Sequence, residues 1–236
     1  TPLSKTKHLN LALSEERNYF FAVDQTLVEL CNFELAEAIP LAPIVFPKTD
    51  EGFKPCLLLG LEANKNLFVT PSGQWVNSFV PAVLRVFPFK SAKSTDGKKI
   101  ICFQEASDLL VSEGKGKRLF NNDGSASQLL DEYMRLFSDI DASNEQTRKV
   151  CAILNDFSLL EPFKIDLKRV DGVSIEIAEQ WRIKAEAFQE LDDKQYLELK
   201  KSGAMPLIYA HFFSLRSYYN LVQLLAAQEN ANASLR

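Results

Sequence analysis

The segment from Asn66 to Phe89 limits the possible folds more than any other, because it combines aromatic and aliphatic residues with a turn sequence and several prolines. Residues 67–69, Leu-Phe-Val, predict a buried strand, and the Pro-Ser-Gly sequence at 71–73 predicts a turn. Residues 75–80 then predict a strand that returns along the first one. We therefore interpret this segment as a β-hairpin.

Pro81 and Pro88 bound the end of this segment. Each lacks a backbone donor and disfavours helix at the preceding residue, so residues 82–87 form either a short helix opened by Pro81 or an edge strand. Arg85 lies inside this apolar run, where an unpaired buried guanidinium would be too costly. Either Arg85 has a carboxylate, a carbonyl or an anionic ligand as its partner, or its stem follows apolar surface with its head in water.

Composition and charge exclude several classes of protein. With 236 residues, of which 46% are hydrophobic and 25% charged, the chain can bury a substantial core, and we favour one domain over residues 1–236. A net charge of −4 with dispersed basic residues argues against a nucleic-acid partner. No stretch reaches about 18 uncharged apolar residues, and the first residues lack the apolar core of a signal peptide. We predict a soluble, cytoplasmic protein without membrane insertion.

The cysteine pattern and the motif content predict neither a metal site nor a cofactor. The four cysteines are widely separated: Cys31, Cys56, Cys102 and Cys151. Without a C-x-x-C pair they indicate buried thiols in a reducing compartment rather than a zinc site or a disulfide framework. No glycine-rich dinucleotide fingerprint is present, and a two-histidine metal site would need His8 and His211 to meet beside a carboxylate.

The first half of the chain is predicted to be mainly β. Predicted strands cover residues 9–13, 19–23, 44–46, 56–60 and 99–103, and the last of these pairs with the segment around Phe87. A short helix is predicted at 33–39, closed by Pro40, and a helical turn at 107–112.

The apolar period becomes helical after Ser127. Two runs at helical spacing, 129–140 and 150–157, are separated by Ala-Ser-Asn at 142–144, which predicts a helical hairpin. Asp171-Gly172 lies between alternating apolar residues and predicts a β-hairpin. Asp192 and Gly203 are then placed as the caps of a helix over about 193–201.

Pro206 can occupy the first position of a long C-terminal helix that runs to about Gln228. One apolar stripe runs through Phe212, which is predicted to be buried, and a neighbouring stripe runs through His211. Arg216 marks the solvated side.

These patterns together predict an α+β fold. A mainly antiparallel sheet is packed by the helical hairpin and the long C-terminal helix. The β-rich part covers about residues 1–104 and the helix-rich part about 105–236.

Several segments, in this order along the chain, resemble the SapC family of bacterial proteins, which is named from a surface-layer locus. The segments are Pro43-Ile44-Val45-Phe46, Leu58-Leu59-Gly60-Leu61, Asn66-Leu67-Phe68-Val69, Gly73-Gln74-Trp75, Val80-Pro81-Ala82 with Arg85, Pro88-Phe89, Leu160-Glu161-Pro162, and Ile208-Tyr209-Ala210-His211 with Ser214-Leu215. The resemblance covers nearly the whole chain. It departs at Val86-Phe87, where the family commonly has Arg-Tyr before Pro-Phe. The resemblance implies an association with surface-layer export through the locus, and it assigns no activity.

The candidate catalytic residues are His211 and Glu161. A nucleophile, base and acid set requires a histidine, and His8 lies near a loose terminus, which leaves His211. Glu161, before Pro162, is a possible partner of His211 or Arg85, or else an exposed carboxylate. The interpretation that we favour for His211 is a core histidine bonded to a backbone carbonyl or to Glu161.

The candidate ligand-binding residues are Arg85, Trp75 and Tyr209. Arg85 would hold an anionic group, and Trp75 would stack on a sugar or peptide, although core packing also explains its position. Tyr209 lies beside His211 in the C-terminal helix.

Two function hypotheses follow. The leading hypothesis is a noncatalytic binding or accessory protein with a protein partner in a cell-surface pathway, and it rests on the family resemblance and on the lack of a catalytic set. The competing hypothesis is an enzyme acting on an anionic small molecule, a sugar or a peptide, with His211 as acid or base, Glu161 orienting it and Arg85 holding the substrate. Oligomeric state is left open.

Overall fold

The structure is a computed structural model that describes residues 1–112, 114–169, 172–175 and 177–234, with side chains described as far as residue 231. The helices are α1 (Leu35–Ala38), α2 (Ala82–Arg85), α3 (Gln128–Asp156), α4 (Ala185–Gln189), α5 (Asp193–Ser202), α6 (Met205–Ser214) and α7 (Tyr218–Ser234). Short 3₁₀ helices cover Phe20–Ala22, Asn32–Glu34 and Leu215–Ser217. The strands are β1 (Leu11–Ser14), β2 (Leu27–Glu29), β3 (Ile44–Val45), β4 (Lys48–Thr49), β5 (Gly52–Phe53), β6 (Cys56–Leu58), β7 (Phe89–Lys93), β8 (Lys99–Phe103), β9 (Leu110–Ser112), β10 (Gly116–Arg118), β11 (Leu160–Phe163), β12 (Leu167–Lys168), β13 (Ser174–Ile175) and β14 (Gln180–Ile183).

The strands pair antiparallel in small sheets. Two three-stranded sheets have the orders β10-β1-β9 and β2-β6-β3, and two-stranded sheets are formed by β4-β5, β7-β8, β11-β14 and β12-β13. Helices pack on these sheets, so the predicted α+β class is confirmed. The strands are distributed over several sheets, whereas the sequence favoured one larger sheet.

The described chain divides into two compact units. Residues 1–18 and 82–142 form the first unit, and residues 19–81 and 143–236 form the second. Each has its own buried apolar residues, such as Phe89 and Leu119 in the first unit and Phe46 and Phe68 in the second. The organisation as a single domain stays a prediction.

In the first unit, residues 99–103 were predicted to pair with the segment around Phe87, and they pair with β7, which begins at Phe89. Phe89 lies opposite Phe103 in the β7-β8 hairpin, and both are buried. The predicted helical turn at 107–112 is wrong, because its last residues form β9 and pair with β1. Cross-strand pairing decided the conformation here against a weak local preference.

The predicted helical hairpin is a single helix, α3. Its expected break at 142–144 contains neither Gly nor Pro, so nothing there stops the helix. Ser143 is buried, and its hydroxyl oxygen accepts the backbone N–H of Asn32 at 2.8 Å. The Ser143 side chain, which suggested a turn, therefore bonds to the distant residue Asn32 while the helix continues through it.

The segment from Asn66 onwards forms only part of the expected hairpin. Val69 and Trp75 form an isolated bridge, and the predicted returning strand at 75–80 is absent from the structure as described. The indole N–H of Trp75 donates to the carbonyl of Phe79 at 2.7 Å, which curls the chain. Of the two alternatives for residues 82–87, the helix is present as α2.

Residues 19–23, predicted as a strand, contain a 3₁₀ helix instead. The predicted hairpin around Asp171-Gly172 has its flanks paired, with Leu167 opposite Ile175, while Asp171 itself lies outside the described residues. Both predicted caps of α5 are confirmed. The Asp192 side chain accepts the N–H of Gln195, and Gly203 ends the helix at φ +79°.

The long C-terminal helix is confirmed, as α6 and α7 joined by a 3₁₀ turn. The stripe through His211 is the buried one, and it includes Leu207, Ser214, Tyr218, Leu221 and Leu225. Phe212 is only half-buried, so its predicted full burial is wrong, and Arg216 is exposed as predicted. Among the helices described, none has both the length and the apolar character needed to cross a bilayer.

Candidate functional site

His211 joins three elements of the second unit. It lies on α6 and is 0% exposed. The N–H of Ile183, in β14, donates to Nε2 at 3.1 Å. The proton of the neutral ring therefore lies on Nδ1, which donates to the carbonyl of Ile44, in β3, at 2.7 Å. Backbone groups thus occupy both ring nitrogens.

Ser214, one turn further along α6, completes the hydrogen bonding of Ile44. The N–H of Ile44 donates to Ser214 Oγ at 2.9 Å, and the hydroxyl donates to the carbonyl of His211 at 2.8 Å. Because β3 is an edge strand of its sheet, two helix side chains satisfy the backbone groups of Ile44 that no strand pairs with.

Burial fixes the protonation state of His211. The rings of Phe46 and Phe212 lie with their centroids 5.3 and 5.5 Å from that of the imidazole. Burial lowers the pKa of His211 to about 4; the charge of Arg182 acts in the same direction, and the bond to Ile44 opposes it. The imidazole is therefore neutral at pH 7.

We expect acid to destabilise the protein through this histidine. Its pKa is about 4 when folded and about 6.5 when unfolded, so the unfolded chain binds the proton more tightly. The contribution is fully present above pH 6.5 and is lost as the pH falls towards 4, by about 3 kcal/mol in total. Urea unfolding at several pH values should show this fall. A His211→Asn variant should lack this component, and equal pH dependence in the two proteins would contradict the assignment.

Glu161 binds Arg182. The two residues lie opposite each other in β11 and β14. Glu161 Oε1 accepts from Arg182 Nε at 2.9 Å and from Nη2 at 2.8 Å. The guanidinium also lies 5.2 Å from the ring centroid of Phe163. The described partner of Glu161 is therefore Arg182, on the neighbouring strand. The ring nitrogens of His211 are bonded to the backbone of Ile183 and Ile44 instead of to Glu161.

Arg85 belongs to the first unit and its side chain is exposed. The guanidinium that holds this segment is that of Arg17, whose Nη2 donates to the carbonyls of Leu84, Arg85 and Phe87 at 3.2, 2.6 and 2.8 Å. Arg17 Nη1 also donates to the Tyr133 hydroxyl at 3.0 Å. Carbonyls at the end of α2 thus find their donor in a distant arginine.

Trp75 packs within the second unit. Its ring centroid lies 5.4 Å from that of Tyr19 and 5.5 Å from that of Phe68. The side chain is half-buried and its indole N–H is bonded to a backbone carbonyl. These contacts account for the tryptophan as a packing residue, and its role in ligand binding stays a prediction.

Tyr209 lies in a surface cluster of aromatic rings. Its ring centroid is 6.1 Å from that of Phe188 and 6.4 Å from that of Phe213, one turn along the helix. Hydrogen bonding with the hydroxyl of Tyr196 raises the pKa of Tyr209. Tyr196 and Tyr209 are each 42% exposed and Phe213 is 58% exposed, so the cluster presents apolar rings with polar edges to solvent.

We group this cluster with further exposed residues of α5 and of the stretch from α6 to α7, and we call the set the aromatic face. We define it by Tyr196, Leu197, Tyr209, Phe213, Arg216 and Tyr219. Tyr219 is the most exposed of its rings, at 67%. Arg216 is the only Lys, Arg, Asp or Glu between residues 204 and 228. Between residues 204 and 228 the aromatic face therefore carries one charge, the positive charge of Arg216.

The comparisons with known proteins give a family and no closer relative. A family model described as SapC matches residues 3–221, which is most of the chain. The chain belongs to the SapC family. No curated protein and no solved structure matches it.

Two of the segments by which this SapC protein resembles its family meet at one place. Residues 43–46 contain β3, and residues 208–211 lie on α6, where His211 and Ile44 are bonded directly. A third segment, at 160–162, begins β11, which pairs with β14. In this SapC protein these segments therefore build the junction between α6, β3 and β14.

Sequence reasoning missed several residues of this SapC protein. Arg17 was not singled out, because no local pattern shows that its partners are carbonyls 67 to 70 residues away. Tyr196 and Phe213 were not singled out, although the lack of charge after residue 204 was visible in the sequence. Among the residues that the structure describes, no group of three His, Cys, Asp or Glu could hold a metal ion.

Proposed function

We propose that this SapC-family protein is a noncatalytic binding protein that receives a partner protein on its aromatic face. The observation that carries this proposal is the exposure of Tyr209 and Phe213 on α6 and of Tyr219 at the start of α7. Protein interfaces are enriched in aromatic residues and arginine and depleted in Lys, Glu and Asp at their centres. The helical part of the aromatic face has this composition.

The charge of the aromatic face favours one kind of partner. Between residues 204 and 228, Arg216 is the only Lys, Arg, Asp or Glu, and covering it requires a carboxylate or carbonyl. A second copy that used residues 204–228 would bring a second arginine and no acid. The partner that fits is a different protein, with apolar side chains around an Asp or Glu.

We propose a cytoplasmic place of action, in a pathway that produces or exports a cell-surface protein. Membership of the SapC family supports the link to surface-layer processes, through the locus that names the family. The four separated cysteines support a reducing compartment.

The enzyme hypothesis has less support from the described contacts. A general acid or base must reach its substrate within hydrogen-bonding distance. His211 is fully buried with both ring nitrogens bonded to the backbone, and Glu161 is bound to Arg182.

The experiment is site-specific photo-crosslinking in cells, with a photoreactive phenylalanine at position 213. We expect one partner protein, crosslinked through a segment with an acidic residue among apolar ones. A synthetic peptide of that segment should then bind the purified chain, and Phe213→Ala combined with Tyr209→Ala should weaken binding about 100-fold. Arg216→Glu should also weaken it. Isothermal titration calorimetry gives the affinities.

Gln223→Ala provides the matched control, because Gln223 is exposed on α7, outside the defined face. It should leave the affinity within about twofold. Crosslinks only to a second copy of this chain would overturn the assignment of a different partner. An affinity unchanged by the double substitution would overturn the proposed surface.

A further inference from the structure

A small cavity of about 250 Å³ lies within the second unit, and none of its lining residues belongs to the aromatic face as defined. Its apolar side includes Phe20 and Val23, and its polar side includes Asp24, Asn64 and Lys65. Sites for drug-sized ligands commonly measure about 300–1,000 Å³. This cavity therefore fits a single small ring or one end of a longer molecule.

Phe20 is held in place as an exposed aromatic platform. Its side chain is 50% exposed, and its ring lies directly against Gly73. A Cβ at position 73 would lie 2.6 Å from Phe20 Cε2, and Gly73 also has a φ of +78°. Only glycine allows this contact without displacing the ring. The backbone therefore supports the ring from one side, while half of the side chain remains open to solvent.

Two polar side chains beside this platform have no hydrogen-bond partner in the part of the chain that the structure describes. They are Asp24 and Asn64, and both are exposed. The Gln228 side chain, by contrast, donates to the carbonyl of Val69 at 3.2 Å and fixes another wall of the cavity. The free carboxylate accepts hydrogen bonds, and the free amide both donates and accepts them.

The cavity lining carries one charge of each sign, the carboxylate of Asp24 and the ammonium of Lys65. Asp24 disfavours an anion. The Lys65 ammonium already has a carboxylate partner, Glu62, at 3.0 Å, so it offers an anion no free counter-charge. A neutral ligand with several hydroxyl groups uses both polar side chains, because it donates to Asp24 and exchanges hydrogen bonds with Asn64. Such a ligand also needs an apolar face to lie on Phe20.

A sugar ring has both properties, and we propose that this cavity is a binding site for a neutral sugar. The ring's C–H face lies on Phe20 and Val23, and its hydroxyls bond to Asp24 and Asn64. This inference uses a different surface from the aromatic face and does not depend on the proposed partner protein.

Saturation-transfer NMR with the methyl glycosides of glucose, galactose, mannose and N-acetylglucosamine tests the proposal, with choline and inorganic phosphate as charged probes. We expect at least one neutral glycoside to bind and neither charged probe to do so. By titration calorimetry, Phe20→Ala and Asp24→Asn should each weaken binding of that glycoside about tenfold. Circular dichroism confirms that the variants are folded.

Val76→Ala is the matched control, because Val76 is an exposed apolar residue of the same unit that does not line the cavity. It should bind the glycoside like the wild type. Binding of none of the four glycosides, preferential binding of choline or phosphate, or unchanged affinity in both cavity variants would each overturn the proposal. None of these outcomes bears on the crosslinking result at position 213.

Discussion

Replacing His211 by alanine is expected to lower the free energy of unfolding by about 3–5 kcal/mol. The substitution removes a fully buried ring and leaves a cavity beside Phe46. It also leaves the N–H of Ile183 and the carbonyl of Ile44 without their partners. Each buried backbone group left unsatisfied costs about 1–3 kcal/mol.

Urea unfolding followed by circular dichroism and tryptophan fluorescence measures this loss. Gln223→Ala, at an exposed position of the same helical stretch, should change the free energy by less than about 0.5 kcal/mol. If His211→Ala were as mild as this control, the histidine would not hold the junction. A large loss would also explain why any activity falls in such a variant, so loss of activity alone cannot identify His211 as catalytic.

Replacing Arg17 by alanine is expected to cost about 3 kcal/mol, because charged hydrogen bonds contribute about 1.5–3 kcal/mol each and several are lost together. Arg17 donates to the carbonyls of Leu84, Arg85 and Phe87, in and just after the last turn of α2, and to the Tyr133 hydroxyl. Arg17→Lys should restore less than half of the loss, since one ammonium cannot reproduce the planar fork of a guanidinium.

Arg85→Ala is the control for this experiment, because Arg85 lies in the same unit and is exposed. We expect it to cost less than about 1 kcal/mol by urea unfolding. The sequence directed attention to Arg85 as the arginine within an apolar run. Equal losses at positions 17 and 85 would show that the bonds of Arg17 are not the main support of this segment.

The sequence predicted correctly those elements whose hydrogen bonds join residues close together in the chain. The caps Asp192 and Gly203 define α5, and their bonding lies within a few residues. The β7-β8 hairpin is also short in sequence. Predictions were wrong where a distant segment decided the conformation, as at residues 107–112, where β9 pairs with β1, and at Ser143, whose side chain is bonded to Asn32.

The candidate sites show the same division. The sequence offered burial and a backbone carbonyl partner as one interpretation of His211, and the structure has this arrangement. It could not name Ile44 and Ile183, because backbone groups 167 and 28 residues away carry no side-chain signature. The partner of Glu161 depended on the register that places Arg182 opposite it. Tyr209 belongs to the segment 208–211 that resembles the SapC family, whereas its aromatic neighbours Phe188 and Tyr196 come from α4 and α5.

The bonds from α6 to Ile44 also bear on strand pairing at the edge of this sheet. A strand at the edge of a sheet presents backbone groups that can pair with a strand of another molecule, and a fully apolar edge such as Ile44-Val45 is a template for aggregation. Many proteins protect such an edge with lysine, proline or a bulge. Here Ser214 and His211 occupy the donor and acceptor of Ile44. Two side chains of α6 thus block the addition of another strand at Ile44. They can do so only once α6 is packed against β3.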